Sequence, residues 1–226
     1  MLPTLKGCTF DALSLKDIPV KNVFSTKRTG NMSPKFDDRK EVEERVREFC
    51  GFTGFNFENR VGINPEHKDK IIVVGKKEAG HNIKCDGLIT TERGLTLSLC
   101  PADCYPIILA DMEKSVVCLI HAGRKGAKKG IIRKGIKLLK TNFKIPSTKI
   151  IVGVGPGIKK CCYNQDLLED VLRQIKKEGV LQTNISLLNV CTCCARNGDE
   201  SHLFDSHRRA QNNKEKEGRF IALVSL

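Results

Sequence analysis

The sequence predicts an α+β fold, a layered α/β domain with a mixed, largely antiparallel sheet, built as one domain over residues 1–226. Three observations lead there. Short apolar runs bounded by turn residues recur at strand length. Several of these runs are separated only by hairpin-length gaps, which suit antiparallel pairing. A few longer segments space their apolar residues at helical intervals without alternating strictly with the strands, which argues against a purely doubly wound topology.

Taken in order, RKEVEERVREFC (39–50) places Val42, Val46 and Phe49 on one helical face, with Asp37 or Asp38 as N-cap. The runs IIVV (71–74), DGLITT (86–91), LTLSLC (95–100), YPIILA (105–110), SVVCLI (115–120) and KIIVGVG (149–155) read as strands. Pro106 lacks an N–H, so the strand that contains it is expected to begin at an edge or beside a bulge. Helices are expected from about 126 to 142 and from about 164 to 178, followed by a last strand, RFIALVS, at about 219 to 225. No internal repeat, low-complexity tract or Pro/Ser-rich linker divides the chain.

Composition narrows the class. Hydrophobic residues at 40% support a real core, and aromatics at only 5%, with no Trp, make that core aliphatic and argue against a nucleic-acid stacking surface. The net charge of +13 comes from basic residues scattered along the chain. Their densest cluster, 124–140, also carries Ile131, Ile132, Ile136, Leu138 and Leu139 at helical spacing, so it reads as the solvated face of an amphipathic helix. Steering of phosphate-bearing substrates is the second reading. MLPTLKGCTF has no secretory pattern, and no apolar run approaches the ~20 residues of a membrane span. With eleven cysteines this predicts a reducing, cytoplasmic setting without a membrane partner, in which Cys8, Cys50, Cys100 and Cys118 act as small buried hydrophobes.

The segment CPADCYPIILADMEKSVVCLIHAGRKG (100–126) carries the chemistry. A hairpin turn centred between Met112 and Glu113 would set Cys104 directly opposite His121, with Cβ atoms roughly 4.5–5.5 Å apart. Both stand at strand ends, where sites are commonly built. The residues alone leave the pair open as a nucleophile with its base or as two ligands of one metal.

This segment, with its CPADCYPIILAD strand and its HAG turn, resembles the central signature of the laccase-domain proteins, also called the multicopper polyphenol oxidase or purine nucleoside phosphorylase family, where T-A-D-C-x-P precedes H-A-G-W-R-G. FSTKRTGNMS (24–33), CDGLITT (85–91), VGVGPGIKKCCY (152–163), CT (191–192), FDSHRR (204–209) and GRFIAL (218–223) are similar to further family segments and stand in the family's order. The resemblance implies a Zn²⁺ ion held by His67, Cys104 and His121. His67 is chosen because it lies 19 residues ahead of Asp86, and His81 ranks second. Two histidines and one cysteine leave zinc a fourth position open for catalysis. Copper could occupy such a set adventitiously, but three ligands are not a multicopper cluster.

The implied activity is phosphorolysis of purine nucleosides (adenosine, inosine, guanosine or methylthioadenosine), with hydrolytic deamination of adenosine alongside it. Asp86 or Asp103 would orient a ligand or move a proton. Lys27, Arg45, Arg124, Arg208 and Arg209 are the candidates to hold phosphate. The chain departs from the family at Arg124 and Lys125, which replace Trp and Arg, at Pro65 and Pro101, and in a shortened stretch between Tyr163 and Val180. Two other readings stay open: a metal-free hydrolase or deamidase with Cys104 as thiolate and His121 as base, and a non-catalytic protein that binds an anionic partner.

Two further motifs stand outside this signature. Cys191 and Cys194 form a C-x-x-C pair with His202 and His207 downstream, but only seven residues intervene, too few for a classical finger, so a second zinc is not expected. GVGPG (153–157) resembles a pocket-lining loop more than a dinucleotide fingerprint.

Overall fold

The structure is a computed structural model and describes residues 10–111, 113 and 115–226. Its strands are β1 (Ala12–Leu13), β2 (Lys21–Ser25), β3 (Arg60–Asn64), β4 (Ile71–Val73), β5 (Asn82–Lys84), β6 (Gly87–Thr90), β7 (Thr96–Leu99), β8 (Tyr105–Asp111), β9 (Val116–Ala122), β10 (Ile151–Val154), β11 (Ile185–Leu187) and β12 (Ala222–Ser225). Its α-helices are α1 (Arg39–Thr53), α2 (Arg124–Lys128), α3 (Ile131–Asn142), α4 (Leu167–Lys177) and α5 (His207–Asn213). The strands form two mixed sheets, ordered β1-β2-β12-β7-β3-β5 and β11-β10-β8-β9-β6-β4. The α+β class stands, with two sheets where the sequence suggested one.

Apolar packing explains the second sheet. Ile107, Leu109, Cys118 and Ile120 point to one side of the second sheet and pack on Ile132 and Ile136 of α3 and on Val171 of α4. Ile108, Ala110, Val117 and Leu119 point to the other side and meet Leu97, Leu99 and Val224 of the first sheet. The outer face of the first sheet, through Val23 and Leu223, covers Val42, Val46 and Phe49 of α1. The layers therefore run helix, sheet, sheet, helix. Strands buried on both faces need continuous apolar runs, which is how β8 and β9 read.

Asp38 caps α1, accepting from the backbone N–H groups of Lys40 and Glu41. The single helix expected over 126–142 is instead α2 and α3, separated at Gly130, whose φ of 78° a side chain would resist. Arg133, Lys134 and Lys137 are exposed while Ile131, Ile132, Ile136 and Leu139 are buried, as the amphipathic reading required. Cys50 and Cys118 are fully buried and Cys100 is partly so, while Cys8 lies outside the described residues. Among the described residues no helix is long and apolar enough to cross a membrane.

Two local expectations are corrected. Pro106 pairs with His121 inside a central strand rather than at a sheet edge. The β10 ladder ends there, and the Pro106 carbonyl accepts from Gly155, so its missing N–H interrupts nothing. The β8–β9 register also places the turn one residue later than expected, with Asp111 paired to Val116. Cys104 then precedes the ladder instead of facing His121 directly, but the shift preserves the face, leaving the two diagonal neighbours.

The site end of the second sheet depends on close approach at Gly157. A Cβ there would lie 2.5 Å from the buried Tyr105 ring. Gly157→Ala is expected to destabilise the fold by about 1–3 kcal/mol through overpacking, measurable as a lowered denaturation midpoint at unchanged m-value.

Candidate active site

Because β6 and β8 each run antiparallel to β9, the starts of the first two and the end of the third share one edge of the sheet. His121 is near the end of β9, Asp86 just before β6, Cys104 just before β8, and His67 in the loop that enters β4. The turns after β10 and β11 emerge at the same end.

Asp86 is the hub of this edge and is fully buried. Its Oδ1 accepts from the backbone N–H of His67 at 2.9 Å, and its Oδ2 accepts from that of Lys68 at 2.8 Å. His67 has φ 58°, an uncommon conformation for a residue with a side chain. The third partner is His121, whose Nδ1 lies 3.1 Å from Asp86 Oδ1. A carboxylate only accepts, so Nδ1 carries a proton, and Nε2 is the nitrogen that offers a lone pair once the ring is neutral. Burial alone would raise the Asp86 carboxyl, yet the His121 hydrogen bond and the Lys68 and His67 N–H groups hold it below the usual range.

Cys104 meets His121 beside Gly123. A Cβ on Gly123 would come within 2.9 Å of Cys104 Sγ, 3.4 Å of His121 Cε1 and 3.6 Å of His121 Nε2, so sulfur and imidazole share a space that only glycine leaves open. Burial disfavours charge on His121, but the adjacent Cys104 and Asp86 outweigh it and raise the imidazole to about 9. The His67 ring stands edge-on to that of His121 with centroids 5.0 Å apart, and burial followed by the neighbouring His121 lowers its pKa. The edge thus gathers two imidazoles and one thiol, with one imidazole pinned by a carboxylate. Such a set can ligate a metal, and its Cys104–His121 pair can also act as thiolate and base.

Asp103 has φ 76°, and both carboxylate oxygens are engaged, Oδ1 by the Thr192 hydroxyl at 2.8 Å and Oδ2 by the Arg208 N–H at 2.7 Å. Its carbonyl accepts from Ile158 N–H. Asp103 therefore ties the residue before Cys104 to three other segments.

Of the predicted phosphate ligands, Arg209 is buried and gives its guanidinium to Glu215 and to the carbonyls of Thr192, Cys193 and Phe204. Arg208, next in chain, lies over the Tyr163 ring. Lys27 approaches Glu215 at 3.8 Å, and Arg45 bonds the Asn31 carbonyl and sits 3.6 Å from Asp37. Arg124 is exposed at the start of α2. His81 belongs to the first sheet's β5 turn, where its ring meets the Ala79 carbonyl. Sequence reasoning missed Lys125 and Lys35, whose charges act on His67. The position of Lys125 within HAGRKG was the available signal.

Among the described residues, the one group of three or more metal-ligating side chains whose donor atoms all lie within 4.8 Å of one another is Cys161, Cys162, Cys191 and Cys194. This group could hold a metal ion. His202 and His207 do not join the C-x-x-C pair, whose group is completed by Cys161 and Cys162; His202 pairs with Arg196 through the backbone, and the His207 ring meets Glu217.

The chain is similar to several known proteins. The family described as multi-copper polyphenol oxidoreductase laccase matches residues 22–166. The mouse (Mus musculus) protein named purine nucleoside phosphorylase LACC1 is 32% identical over 162 residues, covering 70% of this chain and 36% of its own. Its human (Homo sapiens) counterpart of the same name is 27% identical over 214 residues, covering 81% and 48%. This chain therefore spans less than half the length of these two relatives. The protein named purine nucleoside phosphorylase YlmD from Geobacillus stearothermophilus is 30% identical over 226 residues, covering 83% of this chain and 80% of its own. A crystal structure of YlmD from that species superposes with a TM-score of 0.82 over 91% of this chain and 92% of the other, at 27% identity.

Proposed function

Because the chain belongs to the multi-copper polyphenol oxidoreductase laccase family, we propose that it is a purine nucleoside phosphorylase whose site is built by His67, Cys104 and His121 around one Zn²⁺ ion. The observation that carries this reading is the Cys104–His121 contact with Asp86 behind it. A carboxylate that fixes the far nitrogen of an imidazole is the usual partner of a metal-bound histidine. The relatives' names, purine nucleoside phosphorylase, supply the substrate class. Two imidazoles and one thiolate suit zinc with one position left open. The family's description names copper, but three ligands make at most one mononuclear site, so phenol oxidation is not proposed.

In the reaction, a phosphate oxygen bonds to C1′ of the sugar as the C1′–N bond breaks, and the purine leaves with the bonding pair and takes up a proton. The products are free base and ribose 1-phosphate. When bound, the zinc ion supplies a Lewis acid that polarises an oxygen in the site. Asp86 keeps the His121 proton on Nδ1 and so keeps Nε2 available. Asp103 positions Cys104 through its ties to Thr192, Arg208 and Ile158. Arg124, Lys125 and Arg208 draw phosphate to this edge, while Arg209 braces the loop beneath Arg208. Methylthioadenosine is a further nucleoside substrate in this reading, and hydrolytic deamination of adenosine is its secondary reaction.

The direct Cys104–His121 contact also favours one rival, a metal-free thiolate–imidazole hydrolase. Chromatography of inosine, adenosine and methylthioadenosine with and without phosphate, with ammonia measured in parallel, decides between them. Free base is expected only with phosphate, and Cys104→Ala is expected to cut the rate more than about 100-fold, since even outer partners of metal sites are worth 10–100-fold. Turnover that survives exhaustive chelation but not thiol alkylation would establish the rival instead.

A further inference from the structure

Four thiols from two distant segments converge near the Cys104 edge, and the reaction proposed above uses none of them. Cys161 and Cys162 lie in the loop after β10, and Cys191 and Cys194 lie in the CTCC turn after β11. Parallel pairing of β10 with β11 continues into a bridge between Gly157 and Cys191, which sets the two segments side by side. Their sulfurs all lie within 4.8 Å of one another, with Cys161 and Cys194 3.6 Å apart. Four sulfurs at about 2.3 Å from one tetrahedral zinc would stand about 3.8 Å apart, so the spacing is that of a single ion. In an iron–sulfur cubane each thiolate binds a different iron, and the sulfurs stand farther apart.

The backbone is arranged for thiolate. Lys159 N–H points at Cys191 Sγ from 3.5 Å, and the N–H groups of Cys193 and Cys194 point at the same sulfur. Four thiols this close ionise together only if a cation neutralises them. Cys161 and Cys194 are exposed, where uncoordinated thiols invite oxidation.

We propose that Cys161, Cys162, Cys191 and Cys194 hold one structural Zn²⁺ as a closed tetrathiolate, separate from the His67, Cys104 and His121 site. Binding replaces four thiol protons by one divalent cation and leaves two net negative charges, with Lys159, Lys160 and Arg196 beside it in the chain. The ion would clamp the 155–163 loop to the 190–194 turn. Both segments already hold Asp103, through Ile158 N–H and the Thr192 hydroxyl, so the clamp braces Cys104 from behind.

The test counts zinc per chain in protein prepared under reducing conditions. Wild type is expected to bind two ions, His67→Ala with Cys104→Ala one, Cys161→Ser with Cys194→Ser one, and all four substitutions none. Cobalt(II) substituted into the first double variant is expected to give the strong thiolate charge-transfer absorption of a tetrathiolate site. The exposed serine pair is expected to lower zinc affinity at that site by more than about 100-fold. If zinc content is unchanged in the serine pair, if iron fills the site, or if Cys161 and Cys194 are recovered as a disulfide, the proposal is overturned. Because the first double variant lacks two of the three ligands at the other site, failure of the nucleoside reading leaves this result unaffected.

Discussion

Asp86→Ala is expected to lower the unfolding temperature by roughly 10 °C, from a loss of about 3–5 kcal/mol. The carboxylate is fully buried and accepts three hydrogen bonds, from His67 N–H, Lys68 N–H and His121 Nδ1. Alanine leaves all three donors without their acceptor, the buried His121 Nδ1 among them, and that lost pairing dominates the cost. Turnover should fall by about 10–100-fold even at temperatures where the variant is folded, because His121 loses the partner that fixes its tautomer. Asp86→Asn keeps the volume and one acceptor, so it should recover part of the stability and less of the activity. Calorimetry and steady-state kinetics on both variants separate the two effects. Equal recovery of both would mean that Asp86 acts only through the fold.

Gly123→Ala is expected to cost the activity more than the fold. The backbone at Gly123, with φ −88° and ψ 170°, suits alanine, so no strain arises from the main chain. The added methyl would instead press on Cys104 Sγ from 2.9 Å and on the His121 ring from 3.4 Å. Sulfur and imidazole must separate, and a displacement on the order of 1 Å in a reacting constellation costs about 100-fold. Zinc retention at that site should fall with the rate, while the denaturation midpoint moves by no more than about 1–3 kcal/mol in equivalent stability. Wild-type kinetics in this variant would show that Cys104 and His121 need not meet.

What the sequence revealed followed from how local each signal was. The α1 helix was legible because its apolar face and its Asp38 cap lie within one short stretch. Strands β8 and β9 were legible because burial on both faces makes them continuously apolar, although that same continuity concealed that there are two sheets. β3, β5 and β11 were not, since RVGIN, NIK and ISL are short or polar and owe their strand form to distant partners. The pairing of β2 with β12 joins opposite ends of the chain, and no local pattern announces it.

The site divides in the same way. Cys104 and His121 were recognised together even though the turn was misplaced by one residue, because the true register returns both to the same face. The difference between Arg208 and Arg209 could not be read, since adjacent residues on α5 point in different directions and only the packing of the helix decides which is buried. The four-cysteine group escaped because its halves meet only through the β10–β11 pairing, while the nearer histidines His202 and His207 offered a false partner.

The most direct test of phosphorolysis at this edge is phosphorus NMR of inosine and inorganic phosphate incubated with the chain. The expected result is a ribose 1-phosphate signal that grows in step with free hypoxanthine and is absent with Cys104→Ala. Hypoxanthine released while the phosphate signal stays constant would mean hydrolysis, and would contradict the phosphorylase reading.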